Sequence, residues 1–181
     1  MAWTTPLTAV ANTALTAAQW NASVRDNLNE TAPAKAATAG GYFVVTGTKV
    51  ITQRLPQDNE EPTADTTAST AYVTSLASTN GPNLPSISAV SYVLLIVSSD
   101  IANTTANHSG RMVAAISGAT SVAAADQYAM RVTVGAAGLN VRASCANLFA
   151  VNNGSNTFTA NYRASGGTAQ FANRRMSALP F

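Results

Sequence analysis

The chain has one cysteine, Cys145, and one histidine, His108, among its 181 residues. A single thiol cannot close an intramolecular disulfide, so stability has to come from packing or association. One histidine leaves little that titrates near neutral pH for general acid–base work, and no Cys-His spacing of a metal site is present. Charge is scarce too, at 10% of residues against 46% hydrophobic, with a net +2. That is too little for nucleic acid, which needs a clustered basic face. The longest apolar run, Val90 to Val97 with Ser91 inside it, falls far short of the roughly 20 residues of a membrane-spanning helix. The opening Met1-Ala-Trp-Thr-Thr-Pro6 has neither the basic nor the apolar stretch of a secretory leader. The expectation is a non-enzymatic chain without cofactor, metal, nucleic-acid or membrane partner.

What the chain has instead is an uncharged polar surface of Thr, Ser, Asn, Gln and Ala, which repels its own copies weakly and suits permanent subunit contacts. The few charges are unevenly spread. Residues 1–70 carry six acids (Asp26, Glu30, Asp58, Glu60, Glu61, Asp65) against four bases (Arg25, Lys35, Lys49, Arg54). Beyond them, six arginines stand against Asp100 and Asp126. The later part is mildly basic and fits an acidic partner surface, or a solvated face.

Thr16-Ala-Ala-Gln19 has the spacing of a capping box and predicts a helix that starts there and stops at Pro33. Leu15 and Trp20 are placed as a hydrophobic staple. Trp20, Val24 and Leu28 recur every four residues and form one narrow apolar stripe. A helix of this length is marginal alone, so the stripe needs the body, a sister copy or a docking partner to cover it. Residues 31–41 are small and rich in breakers and read as a linker; Tyr42 to Thr46 and Lys49 to Arg54 read as a hairpin, and Pro56 to Ser69 as an exposed loop.

From residue 71 onward, β-branched and aromatic runs alternate with Gly, Asn, Pro and Ser clusters. Strands are predicted at Tyr72–Ser78, Val90–Ser98, Arg111–Ser117, Gln127–Val134, Leu139–Val151, Asn156–Ala164 and Thr168–Leu179. Short strands with regular turns are the pattern of a mostly β, antiparallel, jelly-roll-like sandwich, here with one N-terminal amphipathic helix. The organisation that follows is an arm at 1–30, a linker at 31–41, a hairpin with its loop at 42–70 and the sandwich at 71–181.

Few residues invite chemistry. His108 lies in a polar loop and reads as solvated, and Cys145 in a predicted strand reads as a buried, inert thiol. Asp58, Glu60, Glu61 and Asp65 lack the glycine and ligand spacing of a calcium loop. Gly135-Ala-Ala-Gly138 and Gly166-Gly167 join strand to strand and read as turns, not phosphate cradles. Trp3, Trp20, Tyr42 and Phe43 read as core or interface residues rather than a sugar platform.

Both ends of the chain carry a resemblance. Met1-Ala-Trp-Thr-Thr-Pro6, Leu15-Thr-Ala-Ala-Gln-Trp-Asn21 and Val24-Arg-Asp-Asn-Leu28 resemble the N-terminal segment of small virion proteins of tailed phages, especially those infecting actinobacteria. Gly154-Ser-Asn-Thr-Phe-Thr-Ala-Asn-Tyr-Arg163 and Phe171-Ala-Asn-Arg-Arg175 resemble their last strands. The resemblance implies a β-sandwich head, trimeric, joined to an anchoring arm, on the surface of a virion assembled in the host cytoplasm. On it, the chain is a capsid decoration or short head-fibre protein, whose partners are its own copies in a homotrimer and the major capsid protein or another virion protein. The alternative it leaves is a minor tail or receptor-binding tail protein that recognises host glycans through loops such as 99–110. The arm and stripe residues Trp3, Leu15, Trp20, Val24 and Leu28 are the docking candidates. Tyr42, Phe43, Arg174 and Arg175 are the candidates for contacts between copies.

Overall fold

A computed structural model describes residues 5, 7, 8, 10–89 and 91–181. The chain is mostly β, a sandwich of antiparallel sheets with a short helical segment near the N-terminus, as the strand pattern predicts. It divides into two compact units, residues 1–55 with Phe181, and Pro56–Pro180.

In the first unit the capping box forms: Thr16 Oγ1 accepts the Gln19 N–H at 3.2 Å, and Gln19 Oε1 accepts the Thr16 N–H at 3.0 Å. From it run α1 (Ala17–Trp20), a π-turn (Asn21–Arg25) and α2 (Asp26–Leu28). The expected plain α-helix is thus widened in its middle. The Asn27 side chain donates to the Ser23 carbonyl at 3.0 Å, while the Asp26 N–H reaches Asn21 O, five residues back. The expected stop at Pro33 is also corrected. Helicity breaks earlier, and Pro33 sits in the first turn of α3 (Ala32–Lys35), where its missing N–H costs nothing. The expected linker 31–41 is not free chain, because Ala37 and Thr38 both donate to Gln53 Oε1, at 2.7 and 3.1 Å. Gln53 lies on β2 (Val50–Arg54), which pairs with β1 (Tyr42–Gly47) in the expected hairpin.

The second unit contains β3 (Gln57–Glu61), β4 (Asp65–Thr67), β5 (Asn83–Ala89), β6 (Tyr92–Asn103), β7 (Ser109–Gly118), β8 (Met130–Thr133), β9 (Val141–Ala150), β10 (Gly154–Ala164) and β11 (Ala169–Pro180). One sheet runs β5-β10-β7-β8; the other runs β3-β11-β6-β9, with β4 beside β3's partner β11. Between them lies a closed core. Phe158, Tyr162, Met112 and Ile116 of the first sheet meet Val93, Leu95, Ile101, Phe171 and Met176 of the second, all at 2% exposure or less. Ring pairs bridge the two sides, Tyr162–Phe171 tilted at 5.0 Å and Phe149–Phe158 edge to face at 6.3 Å.

Two sequence expectations fail here, and one strand goes unread. Pro56 to Ser69 is not a loop, because β3 and β4 pair with β11 and two of the three β3 acids are answered across the ladder: Asp58 by Arg175 and Ser177, Glu61 by Arg174. Acidic residues are poor strand formers, yet a charged edge strand keeps a sheet from pairing with strangers. Tyr72–Ser78 is not a strand; it makes single bridges, Val73 to Tyr162 and Ser75 to Asn80, because the Ser78 and Thr79 amides turn to the Asp65 carboxylate. The strand that does precede β6 is β5, which the proline at 85 hides in the sequence; an edge strand tolerates it, and Ser86, at φ 58°, makes the local irregularity.

Asp65 is the polar pin of this region. Burial alone would push its carboxyl up, but the amides of Thr66, Ser78 and Thr79 and the Thr79 hydroxyl all donate to it and hold it down at about 2. A group depressed below its unfolded value of about 3.9 adds stability that is fully present above that value and is lost as pH falls through the folded one. Asp65→Asn should therefore cost about 2 kcal/mol near neutral pH in urea unfolding, with the gap to wild type closing as pH falls from about 4 towards 2. A gap that stays constant over that window would show that the carboxylate charge does not matter.

Candidate functional site

The stripe residues are left largely bare, and the π-turn at Asn21–Arg25 interrupts the α spacing that aligns them. Leu15 is 47% exposed, Trp20 56% and Leu28 59%, while Val24 is half-buried. The side the segment does bury is polar: Asn27 is 4% exposed, and Ser23 Oγ accepts the Leu7 N–H at 2.9 Å. Leu7 and Val10 add further exposed apolar surface to the same unit. Trp3 lies outside the described residues.

The candidates for contacts between copies split. Phe43 is exposed. Tyr42 is half-buried, its ring 6.2 Å from that of Phe181, and burial pushes its hydroxyl up against the smaller opposing pull of Arg54. Arg174 is no surface residue at all, and this corrects the expectation. At 0% exposure it donates to the Thr63 carbonyl at 3.0 Å and to Thr79 Oγ1 at 2.8 Å, stands 3.9 Å from Glu61 and lies 5.5 Å over the Tyr162 ring. The cause is a bulge in β11. Asn173, at φ 47°, adds one residue between the partners of Asp100 and Ser98, so the inward alternation moves from Phe171 to Arg174, Met176 and Ala178. Ser99 Oγ donates to the Ala172 carbonyl at 3.0 Å and satisfies the bulge. Arg175 consequently points out and pairs with Asp58 at 2.8 Å, which holds the Asp58 carboxyl low.

Two outer-face features went unread in the sequence because only register assembles them. On the β10-β7-β8 sheet, Arg163, Arg111 and Arg131 are cross-strand partners in one row. Asp126 bridges Arg111 and Arg163 and accepts the Tyr72 hydroxyl at 2.8 Å, and these partners, Arg111 first, hold its carboxyl low. On the other sheet, Leu179, Leu94 and Leu148 are in register across β11, β6 and β9, beside exposed Tyr92 and Ile96. The apolar run from Tyr92 to Val97 was the available signal: a strand apolar on both faces has an outer face to cover.

The chemistry-bearing residues stay apart. His108 Nδ1 lies 3.3 Å from Ser165 Oγ. Cys145 is half-buried instead of buried as expected, with its Sγ 3.5 Å from Asn147 Nδ2; burial pushes the thiol up. Among the described residues no group of three or more His, Cys, Asp or Glu is placed to hold a metal, and no helix is long and apolar enough to cross a membrane. The stretch 99–110, expected as a loop, is β6 as far as Asn103 and β7 from Ser109. Its remaining turn is tied inward: Asn103 donates to the Gly166 carbonyl at 3.0 Å and accepts the Thr105 N–H at 2.9 Å, close against Gly167, whose φ of 61° suits glycine. No protein-family model and no curated protein matches the chain.

Proposed function

We propose that the chain is a non-enzymatic structural protein of a tailed-phage virion, a capsid decoration or short head-fibre protein on the particle surface. Its N-terminal unit docks on the major capsid protein or another virion protein, and its sandwich associates as a homotrimer. The observation that carries this reading is the bare stripe of Leu15, Trp20 and Leu28, large apolar side chains on a segment too short to be stable for its own sake. Support for association through the sandwich comes from the in-register Leu94 and Leu148 on an outer face with few charges. The resemblance of both chain ends to small virion proteins supplies the biological setting.

Removing residues 1–55 tests the docking role. The sandwich has its own core, so the truncated chain should keep a cooperative urea transition while losing attachment to particles stripped of the protein. Gold label on the full chain should fall over the icosahedral shell. Attachment by the truncated sandwich, or label confined to the tail tip, would reject the reading.

A further inference from the structure

Asn-Gly occurs twice in the chain, at Asn80-Gly81 and Asn153-Gly154. In this dipeptide the glycine nitrogen can attack the preceding side-chain carbonyl, because no Cβ on the glycine stands in the way. The ring closes only where the chain can rotate about the asparagine. The fold therefore decides which of two identical dipeptides reacts.

The first is held in place. Asn80 is bridged to Ser75, and the Thr79 carbonyl accepts the Leu76 N–H at 2.9 Å. Gly81 lies against the ring of Tyr162, which is wholly buried, so closely that a side chain there would run into it. Pro82 is buried, and its carbonyl accepts the Ala160 N–H at 3.2 Å. Turning the Gly81 nitrogen towards Asn80 means lifting this segment off the core.

The second is free to move. Asn153 is exposed in the bend between β9 and β10 and makes no hydrogen bond among the described residues. The other asparagines of this turn are engaged: Asn152 donates its side chain to the Ala119 carbonyl at 3.0 Å, and Asn156 donates to the Asn152 and Gly154 carbonyls, each at 3.2 Å. Gly154, at φ 131°, is the first residue of β10 and faces Ala89, the last of β5, at the end of the ladder where strands fray.

We infer that Asn153 is a site of spontaneous deamidation and that packing protects Asn80 from the same reaction. The Gly154 nitrogen loses its proton to water and bonds to Asn153 Cγ; the bond from Cγ to the side-chain nitrogen breaks, and that nitrogen leaves as ammonia. Water then opens the succinimide at either carbonyl, giving aspartate or isoaspartate without oxidant or reductant. Either product lowers the net charge by one from +2, in a part of the chain whose only acids from residue 71 onward are Asp100 and Asp126. Isoaspartate also puts one more carbon into the backbone of the turn.

Ageing the full chain in heavy-oxygen water at mildly alkaline pH tests it, with mass spectrometry after digestion in ordinary water. Asn153 falls in the tryptic peptide 143–163 and Asn80 in 55–111. Solvent oxygen should enter Asn153 about tenfold or more faster than Asn80, and faster still as pH rises, because the attacking nitrogen must be deprotonated. In guanidinium chloride, where the packing is gone, the two rates should agree within about threefold. Asn153→Gln, an exposed change, should keep the near-ultraviolet circular dichroism of wild type and lose the early acidic form on anion exchange. A folded chain that labels Asn80 as fast as Asn153, or leaves Asn153 unlabelled, would overturn the inference. A rate difference that persists in guanidinium chloride would assign it to local sequence and overturn the protection of Asn80.

Discussion

Arg174→Ala is expected to destabilise the sandwich by about 3–5 kcal/mol, the largest loss of any single charge in the chain. The side chain is wholly inside, and its removal leaves the Thr63 carbonyl without its donor, the Tyr162 ring without its cation and a void between the sheets. Its presence is costly too, since Nε and Nη1 have no hydrogen-bond partner and the nearest carboxylate oxygen is 3.9 Å away. Arg174→Met tests both sides of this balance. An unbranched apolar side chain fills most of the space and removes the incompletely answered charge, so it should fall within about 1 kcal/mol of wild type or exceed it. Urea midpoints for the two variants decide the matter. An alanine variant within about 0.5 kcal/mol of wild type would mean that the guanidinium is solvated rather than structural.

Arg174 also marks where the sequence stops being informative. Strand identity was legible in the β1-β2 hairpin and from β6 onward, because runs such as Arg111–Ser117, Asn156–Ala164 and Thr168–Leu179 show alternation or β-branched residues between turn residues, and β7, β10 and β11 lie within a few residues of those bounds. Side-chain direction in β11 was not legible, because one residue in the left-handed region at Asn173 inverts every position after it. The pair Arg174-Arg175 looks like a basic surface dipeptide in the sequence and is one core residue and one exposed residue in the fold. β3 was missed for a related reason: Asp58, Glu60 and Glu61 have low strand propensity, and what makes them a strand is the Arg175 and Arg174 partners more than a hundred residues later. Local signals, by contrast, survived. The capping box depends on four consecutive residues and appears as read.

The arm's stripe carries the other large effect. Trp20 is 56% exposed in the chain by itself, so Trp20→Ala should move the urea midpoint little, by less than about 1 kcal/mol. Its ring is nevertheless the largest apolar group on the segment, and burial against a partner would make it the centre of the contact, where truncation costs roughly 3 kcal/mol or about a hundredfold in affinity. Leu28→Ala, at 59% exposure, should weaken attachment to stripped particles in the same direction, and Val24→Ala less, because Val24 is smaller and already half-buried. Ala18→Ser, an exposed change in the first turn, serves as the control and should stay within about 0.5 kcal/mol in both assays. The informative feature is the separation of the two readouts. A core residue would lose stability and attachment together, whereas a docking residue loses attachment alone. If Trp20→Ala binds particles as the control does, the stripe is not the anchor, and attachment has to be sought on the outer faces of the sandwich, beginning with the row of Leu179, Leu94 and Leu148.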